Sequence, residues 1–365
     1  MNISDLQYNY LVLLKYVVPP LMLLCLMGNL LNLLIYSLSY FDGSSSVHFL
    51  RAKAMFNMIF VWSRLLEVIH AWTEPAQQWL EPLFWHSRSY IMTISNISGT
   101  MSTWLTLMVT VETVMCVLMP FLFRQYCTKR TTWFFLLVTL SLSTLLHSTL
   151  VFTTEIAMHP LAITEHTLGK VNSTCWYVQN MYVFMIRSNS AYDVIQKIYY
   201  WIQTAFAIII PTIAMLVCSI LIVNQFTFKE LGEAFSQRRK CVIRMTVATT
   251  VSHLLLEGPA TLTHAAVALK VIIGIYKHHY MMCVLNNAIN ILSIVNATIP
   301  FFVFLLCNEQ FRHMTAMYLR AHMQTNSARK KTYLSQAGMR CSQVSRMETE
   351  RSFIERRLHP NSSNL

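Results

Sequence analysis

Four ionisable side chains stand at helical spacing within one apolar stretch: Arg64, Glu67, His70 and Glu74. Steps of three and four residues put them on one face of a helix. Charge in such a stretch is costly and is kept where it faces a cavity or a partner. Two chemistries fit. One is a polar wall that contacts a charged peptide. The other is a local Arg64–Glu67 ion pair that neutralises itself. A second group surrounds Glu257, with His253 and His264 on neighbouring turns. Glu257 is either a counter-charge, for a basic ligand group or for Arg64, or a buried carboxylic acid bonded to a neighbour.

Catalysis has little support. Glu67, His70, His253 and Glu257 could be imagined as paired catalytic groups at depth, but no known catalytic spacing links them. None of the 13 His stands in an H-E-x-x-H arrangement, and the nine Cys contain no C-x-x-C pair. Neither a zinc site nor a disulfide framework is indicated. The expectation is a non-enzyme with no cofactor and no metal.

The elements that must position these residues are apolar helices. The chain has 365 residues, of which 55% are hydrophobic and 12% charged. That charged share is roughly half of what a soluble globular protein carries. A spanning helix needs about 20 mostly apolar residues, because every backbone group facing lipid must be paired internally. Seven such runs lie near 11–38, 50–72, 89–118, 132–153, 198–226, 242–268 and 281–306. The expected fold is an all-α membrane protein, a bundle of seven transmembrane helices. The first run is too long for a signal-peptide core and lacks a charged leader, so it reads as a span.

The net charge of +12 could suggest nucleic acid, but the basic residues gather between and after the apolar runs, so no nucleic-acid partner is expected. Arg51, Lys53, Arg124, Lys129, Arg130, Lys229, Arg238, Arg239, Lys240 and Arg244 follow alternate runs, and a basic series from Arg312 to Arg357 fills the tail. The opposite loops are poorer in Lys and Arg and are diluted by acids. The positive-inside rule therefore puts the first set in the cytoplasm and the N-terminus outside, in the plasma membrane. The sequons at Asn2 and Asn172 fall on the outer side and are candidate glycosylation sites. Those at Asn96 and Asn296 lie inside apolar runs and read as chance.

After the last run, Phe311, Met314, Met317 and Tyr318 can share one face of a short amphipathic helix flanked by Arg312, His313 and Arg320. Such a helix would lie along the inner membrane surface. The expected organisation is an extracellular N-terminus over 1–10, a bundle over 11–306, the amphipathic helix over 307–320 and a disordered basic tail over 321–365. Cys307 and Cys341, on the cytoplasmic side, are possible acylation sites.

Several motifs, in order, resemble the rhodopsin-like G-protein-coupled receptors. They are Gly28-Asn29 in the first run, Phe49-Leu50-Arg51-Ala52-Lys53-Ala54 opening the second, Glu112 with Met119-Pro120 after the third, and Pro211 in the fifth. Glu257-Gly258-Pro259 follows in the sixth, and Asn296 through Phe304 leads into Phe311-Arg312. The start of the second run, Trp62-Ser63-Arg64 and the Glu-x-Pro also resemble invertebrate neuropeptide receptors and nematode chemoreceptors. The resemblance implies a bundle with an eighth, short helix and a receptor that binds an extracellular peptide or small molecule. It also implies signalling to heterotrimeric G proteins.

The same resemblance assigns switch positions: Asn57, Glu112, Thr113, Pro211, Pro259, Asn296, Pro300 and Phe304. Several depart from the family. Thr113 replaces the arginine that ends the third helix, and Asn57 replaces the sodium-site aspartate. Glu257 replaces the tryptophan of the sixth helix, and Phe304 lacks the tyrosine hydroxyl of the seventh. The family's anchoring cysteine falls at Arg88, which leaves Cys175 without its usual partner and Cys283 as a candidate.

The amine-binding aspartate corresponds to Ser95 and the retinal lysine to Ile294, so neither an amine nor retinal is expected. Tyr199, Tyr200, Gln203, Thr261, Asn286 and Asn290 fall where the family lines its pocket, although each alone is more often an interhelical hydrogen bond. Trp79 resembles a structural tryptophan of the first outer loop. The alternative function is a seven-span transporter or channel-type chemosensory protein. Only eight Gly and no internal repeat speak against a transporter, and the charge distribution speaks against the reversed topology of the channel type.

Overall fold

The computed structural model describes residues 11–37, 45–73, 80–166, 174–187, 190–228, 247–259, 279–307 and 309–323. Its helices are α1 (Leu13–Tyr36), α2 (Ser45–Trp72), α3 (Leu80–Leu118), α4 (Pro120–Tyr126) and α5 (Lys129–Thr153). A hairpin of β1 (Thr154–His166) and β2 (Thr174–Ile186) follows. Then come α6 (190–228), α7 (247–259), α8 (His279–Cys307) and α9 (Glu309–Met323). The chain is a membrane-spanning, almost entirely helical bundle. Five of the described helices are long and apolar enough to cross a membrane: α1, α2, α5, α6 and α8.

The helices are polar inside and apolar outside, which is the arrangement lipid requires. On α5 the inward stripe is Thr132, Leu136, Thr139, Ser143, His147 and Leu150. Trp133, Phe134, Leu137, Leu142, Leu145 and Phe152 of the same helix are exposed. On α1, Cys25, Gly28, Asn29 and Asn32 are buried while Leu23, Leu24, Met27 and Leu30 face outward. The long α3 has a lower apolar content because its inward face carries Ser95, Ser98, Ser102, Thr106 and Thr110.

Prolines shape three helices. Pro19 and Pro20 have no N–H to offer Lys15 and Tyr16, and the opening turn, Leu13–Val17, widens to π geometry. Pro211 does the same to Thr204–Ile209 in α6. Pro120 starts α4, and Met119 before it leaves helical geometry, which ends α3.

Gly28 lets α1 approach α8 closely. A Cβ at this position would lie 2.8 Å from the Cβ and Cγ of Phe301. At the inner end, Tyr36, Phe304 and Phe311 form a three-ring cluster with centroids 5.7–5.8 Å apart. Phe311, Met314, Met317 and Ala321 turn the apolar face of α9 inward, onto α1 and α8 rather than onto lipid, and Tyr318 stays partly exposed. Arg312, His313, Ala316, Leu319, Arg320, His322 and Met323 are the exposed residues of that helix.

Three features differ from the sequence reading. The helix α2 begins at Ser45, before the run read at 50–72, so Arg51 and Lys53 lie inside the helix rather than at its opening. The helix α3 begins at Leu80, which places Arg88 on it, stacked over Phe84 and Trp85. The segment after α5 is a hairpin in continuous antiparallel register from Thr154 opposite Ile186 to His166 opposite Thr174. At about 3.3 Å per residue each 13-residue strand runs about 43 Å, long enough to project past the helices. Its base is tied down by Ser89 with Thr154 at 2.9 Å and by Arg187 N–H donating to the Thr153 carbonyl at 3.0 Å.

Candidate functional site

A cleft is built where α2 breaks. Ser63 donates its hydroxyl to the Phe60 carbonyl at 2.7 Å, and the Arg64 N–H reaches back only three residues, to Val61. This tight turn aims Arg64 between α1 and α8. Its Nη1 contacts Glu67 at 3.3 Å, its Nη2 donates to Asn290 Oδ1 at 3.1 Å, and the guanidinium lies over Phe60. Leu13, Leu14, Val18, Ile291 and Ile294 form the apolar walls of a narrow cleft beside it. The side chains of Arg64 and Glu67 are 17% and 16% exposed. Their mutual charge makes such burial tolerable. The Nε of Arg64 is buried and has no hydrogen-bond partner among the described residues.

The local ion pair is therefore present, and it is not purely local because Asn290 closes it across the bundle. His70 leaves this face. It meets Glu81 at 2.9 Å and stacks on Phe84, while Trp85 Nε1 donates to Glu81 at 2.8 Å. Glu74 and Trp79 lie outside the described residues.

A second polar layer lies deeper. The Ala297 carbonyl accepts from Asn29 Nδ2 at 3.0 Å and Asn57 Nδ2 at 3.2 Å. The Oδ1 of Asn57 accepts from Ser102 at 2.6 Å. Asn57 thus joins α1, α2, α3 and α8 as a neutral hub. One turn earlier on α2, Lys53 is only 3% exposed and donates to the Thr106 hydroxyl of α3. The sequence reading used Lys53 as an orienting charge at the opening of the second run and not as a buried residue. The signal was its spacing: Lys53, Asn57 and Arg64 differ by four and seven, which is one helical face.

Glu257 accepts from Ser293 at 3.1 Å and from Asn296 at 3.1 Å, and Asn296 also meets His253 Nδ1 at 2.9 Å. This is the bonded carboxyl of the two sequence readings. Glu257 does not serve Arg64, whose acid is Glu67.

Elsewhere the expected positions divide. Thr113 is buried and donates back to the Val109 carbonyl of its own helix at 2.8 Å. Glu112 accepts from Ser45 at the start of α2. Ser95 is buried, with no hydrogen-bond partner for its hydroxyl among the described residues, and Gln203 is buried on α6. Tyr199 meets His147 at 3.0 Å, and His147 meets Thr100 at 2.8 Å, so this group reads as interhelical bonding. Tyr200 accepts from Gln196 on its own helix at 3.3 Å. Pro211, Pro300 and Phe304 are buried, and Pro259 closes the described part of α7. Thr261, His264, Asn2, Asn172 and Cys341 lie outside the described residues, as do the side chains of Cys175, Cys283, Asn286 and Cys307.

A helical, multi-pass membrane bundle with a lined cleft and a polar core has the build of a membrane receptor. The particular family follows from the sequence itself. Residues 21–322 match the family described as serpentine type 7TM GPCR chemoreceptor Srw, and the chain belongs to that family of non-enzymatic receptors. Among curated proteins, none matches the chain.

Proposed function

We propose that this chain is a plasma-membrane receptor with seven spans, its N-terminus outside and its basic tail in the cytoplasm. In this reading α3 and the helix that includes α7 complete the seven, and α9 is the eighth, short helix of the family. It binds an extracellular ligand, in our reading a neuropeptide, and signals to heterotrimeric G proteins through non-standard switch residues. Asn2 and Asn172 carry glycans, and Cys175 pairs outside the bundle with Cys283 as its candidate.

The observation that carries this reading is the Arg64–Glu67–Asn290 group at the cleft. A paired guanidinium and carboxylate between apolar walls offers one partner to each end of a small charged ligand, or to a peptide terminus. The buried Nε of Arg64 adds a donor with no partner among the described residues. The same helix, α8, carries Asn290 toward the cleft and Ser293 and Asn296 to Glu257. Occupancy above and helix arrangement below therefore share one rigid element.

The test is second-messenger output in cells expressing the chain with each G-protein class, against amidated neuropeptides, alongside Thr113→Arg. A ligand-dependent response from the wild type supports the reading. A silent wild type with a responsive T113R variant would mean that ligand binding is intact and coupling is weak. Ion currents without any G protein would sink the receptor reading in favour of a channel.

A further inference from the structure

The carbonyl of Lys15 has no donor in its own helix. An α-turn would supply the N–H of residue 19 and a π-turn that of residue 20, and both are proline. A backbone carbonyl left without a donor is costly wherever water cannot reach it. Here the donor comes from another helix: the indole Nε1 of Trp72 donates to the Lys15 carbonyl at 3.2 Å. The same indole meets the ring of Tyr16 edge-on, with centroids 5.8 Å apart.

Trp72 is the last residue of the segment of α2 beyond its break, Leu65–Trp72. At the break the backbone ladder is interrupted: the Arg64 N–H goes to Val61, and the Phe60 carbonyl is left to the Ser63 hydroxyl. The segment therefore depends on side-chain contacts for its seat. His70 joins it to Glu81 of α3 at 2.9 Å, and Trp72 joins it to α1. Between the break and Trp72, Leu65 and Val68 pack in one cluster with Leu14 and Val18 of α1 and Ile294 of α8. The cleft lies in the same place. Its wall on α1 is Leu13, Leu14 and Val18, and its charge pair on α2 is Arg64 and Glu67. Leu13 and Leu14 stand on the widened turn that the two prolines produce.

We propose that Trp72 is a positioning residue for the cleft. Through the carbonyl that Pro19 and Pro20 leave open, it holds the apolar wall on α1 beside the Arg64–Glu67 pair on α2. The prolines create the acceptor, and the break in α2 creates the need for a tie. Without the indole N–H the opening turn of α1 loosens and the guanidinium of Arg64 becomes more accessible. The inference deepens the reading of the cleft as the binding site and rests on it.

The test uses the full-length chain in lipid nanodiscs as wild type, Trp72→Phe, Pro19→Ala and the double variant. Two rates are read by mass spectrometry: deuterium uptake over residues 13–18, and modification of Arg64 by phenylglyoxal. Trp72→Phe keeps a ring beside Tyr16 and loses the N–H. It is expected to raise both rates about threefold, the effect of losing one hydrogen bond, with uptake over residues 24–36 unchanged. In Pro19→Ala, residue 19 regains an N–H for the Lys15 carbonyl, so adding Trp72→Phe to that background is expected to change neither rate. Unchanged rates in Trp72→Phe would overturn the proposal, and so would equal rises with and without Pro19. If Pro19→Ala does not fold, the pattern of uptake in Trp72→Phe decides: a rise confined to the opening turn supports the tie, and a rise spread over the whole chain overturns it. Neither rate needs a ligand or a G protein. Failure here therefore leaves the receptor reading standing, and a wild type that never signals leaves the two rates to decide.

Discussion

Arg64 and Asn290 are 226 positions apart in the chain and 3.1 Å apart in the fold. The contact joins the broken middle of α2 to α8, and it turns a charge pair that one helix could make alone into a link across the bundle. Glu67 neutralises the guanidinium and Asn290 orients it.

Replacing Arg64 by lysine keeps the charge but loses the planar fork that reaches both partners. The expected result is a ligand potency at least about tenfold lower at unchanged surface expression. Asn290→Ala should give a smaller shift in the same direction. Dose–response curves on cells with surface protein quantified would check both. Potency equal to wild type in R64K would remove the cleft from the ligand's path.

Gly28 faces Phe301 with no room for a methyl group. Gly28→Ala therefore forces α1 and α8 apart, at a cost of about 1–3 kcal/mol. The measurement is melting temperature after detergent extraction. Combining it with Phe301→Ala should recover only part of the loss, because alanine keeps the Cβ that lies 2.8 Å away. Full recovery would show that the ring alone sets the contact.

Orientation has its own readout. Asn2→Gln and Asn172→Gln should each remove a glycosidase-sensitive step in gel mobility, since only the outer side is glycosylated. Asn361→Gln, at the sequon Asn361-Ser362-Ser363 in the expected cytoplasmic tail, should change nothing. Glycosylation at Asn361 would reverse the topology.

Local composition made the spans legible. A run of about 20 apolar residues is a property of neighbouring residues, and so is the amphipathic face of Phe311, Met314 and Met317. The second strand of the hairpin was legible in principle, since it is rich in β-branched and aromatic residues, whereas the first has four β-branched residues, no Phe, Tyr or Trp, and a proline. It was passed over because apolar length, not alternation, governed the reading of that loop.

What the sequence by itself determined is the class of the molecule. Lipid demands internally paired helices, and the placement of Arg and Lys between apolar runs is the ground for the orientation proposed above. What only the tertiary structure decided is the partner of each buried charge. Helical spacing puts Lys53, Asn57 and Arg64 on one face of α2, but spacing does not say which helix that face meets. Packing places Arg64 by Glu67 and Asn290, Lys53 by Thr106, and Glu257 by Ser293 and Asn296. The reason is physical. A span is stabilised by contact with lipid along its own length, whereas a buried charge is tolerated only through groups that other helices carry to it.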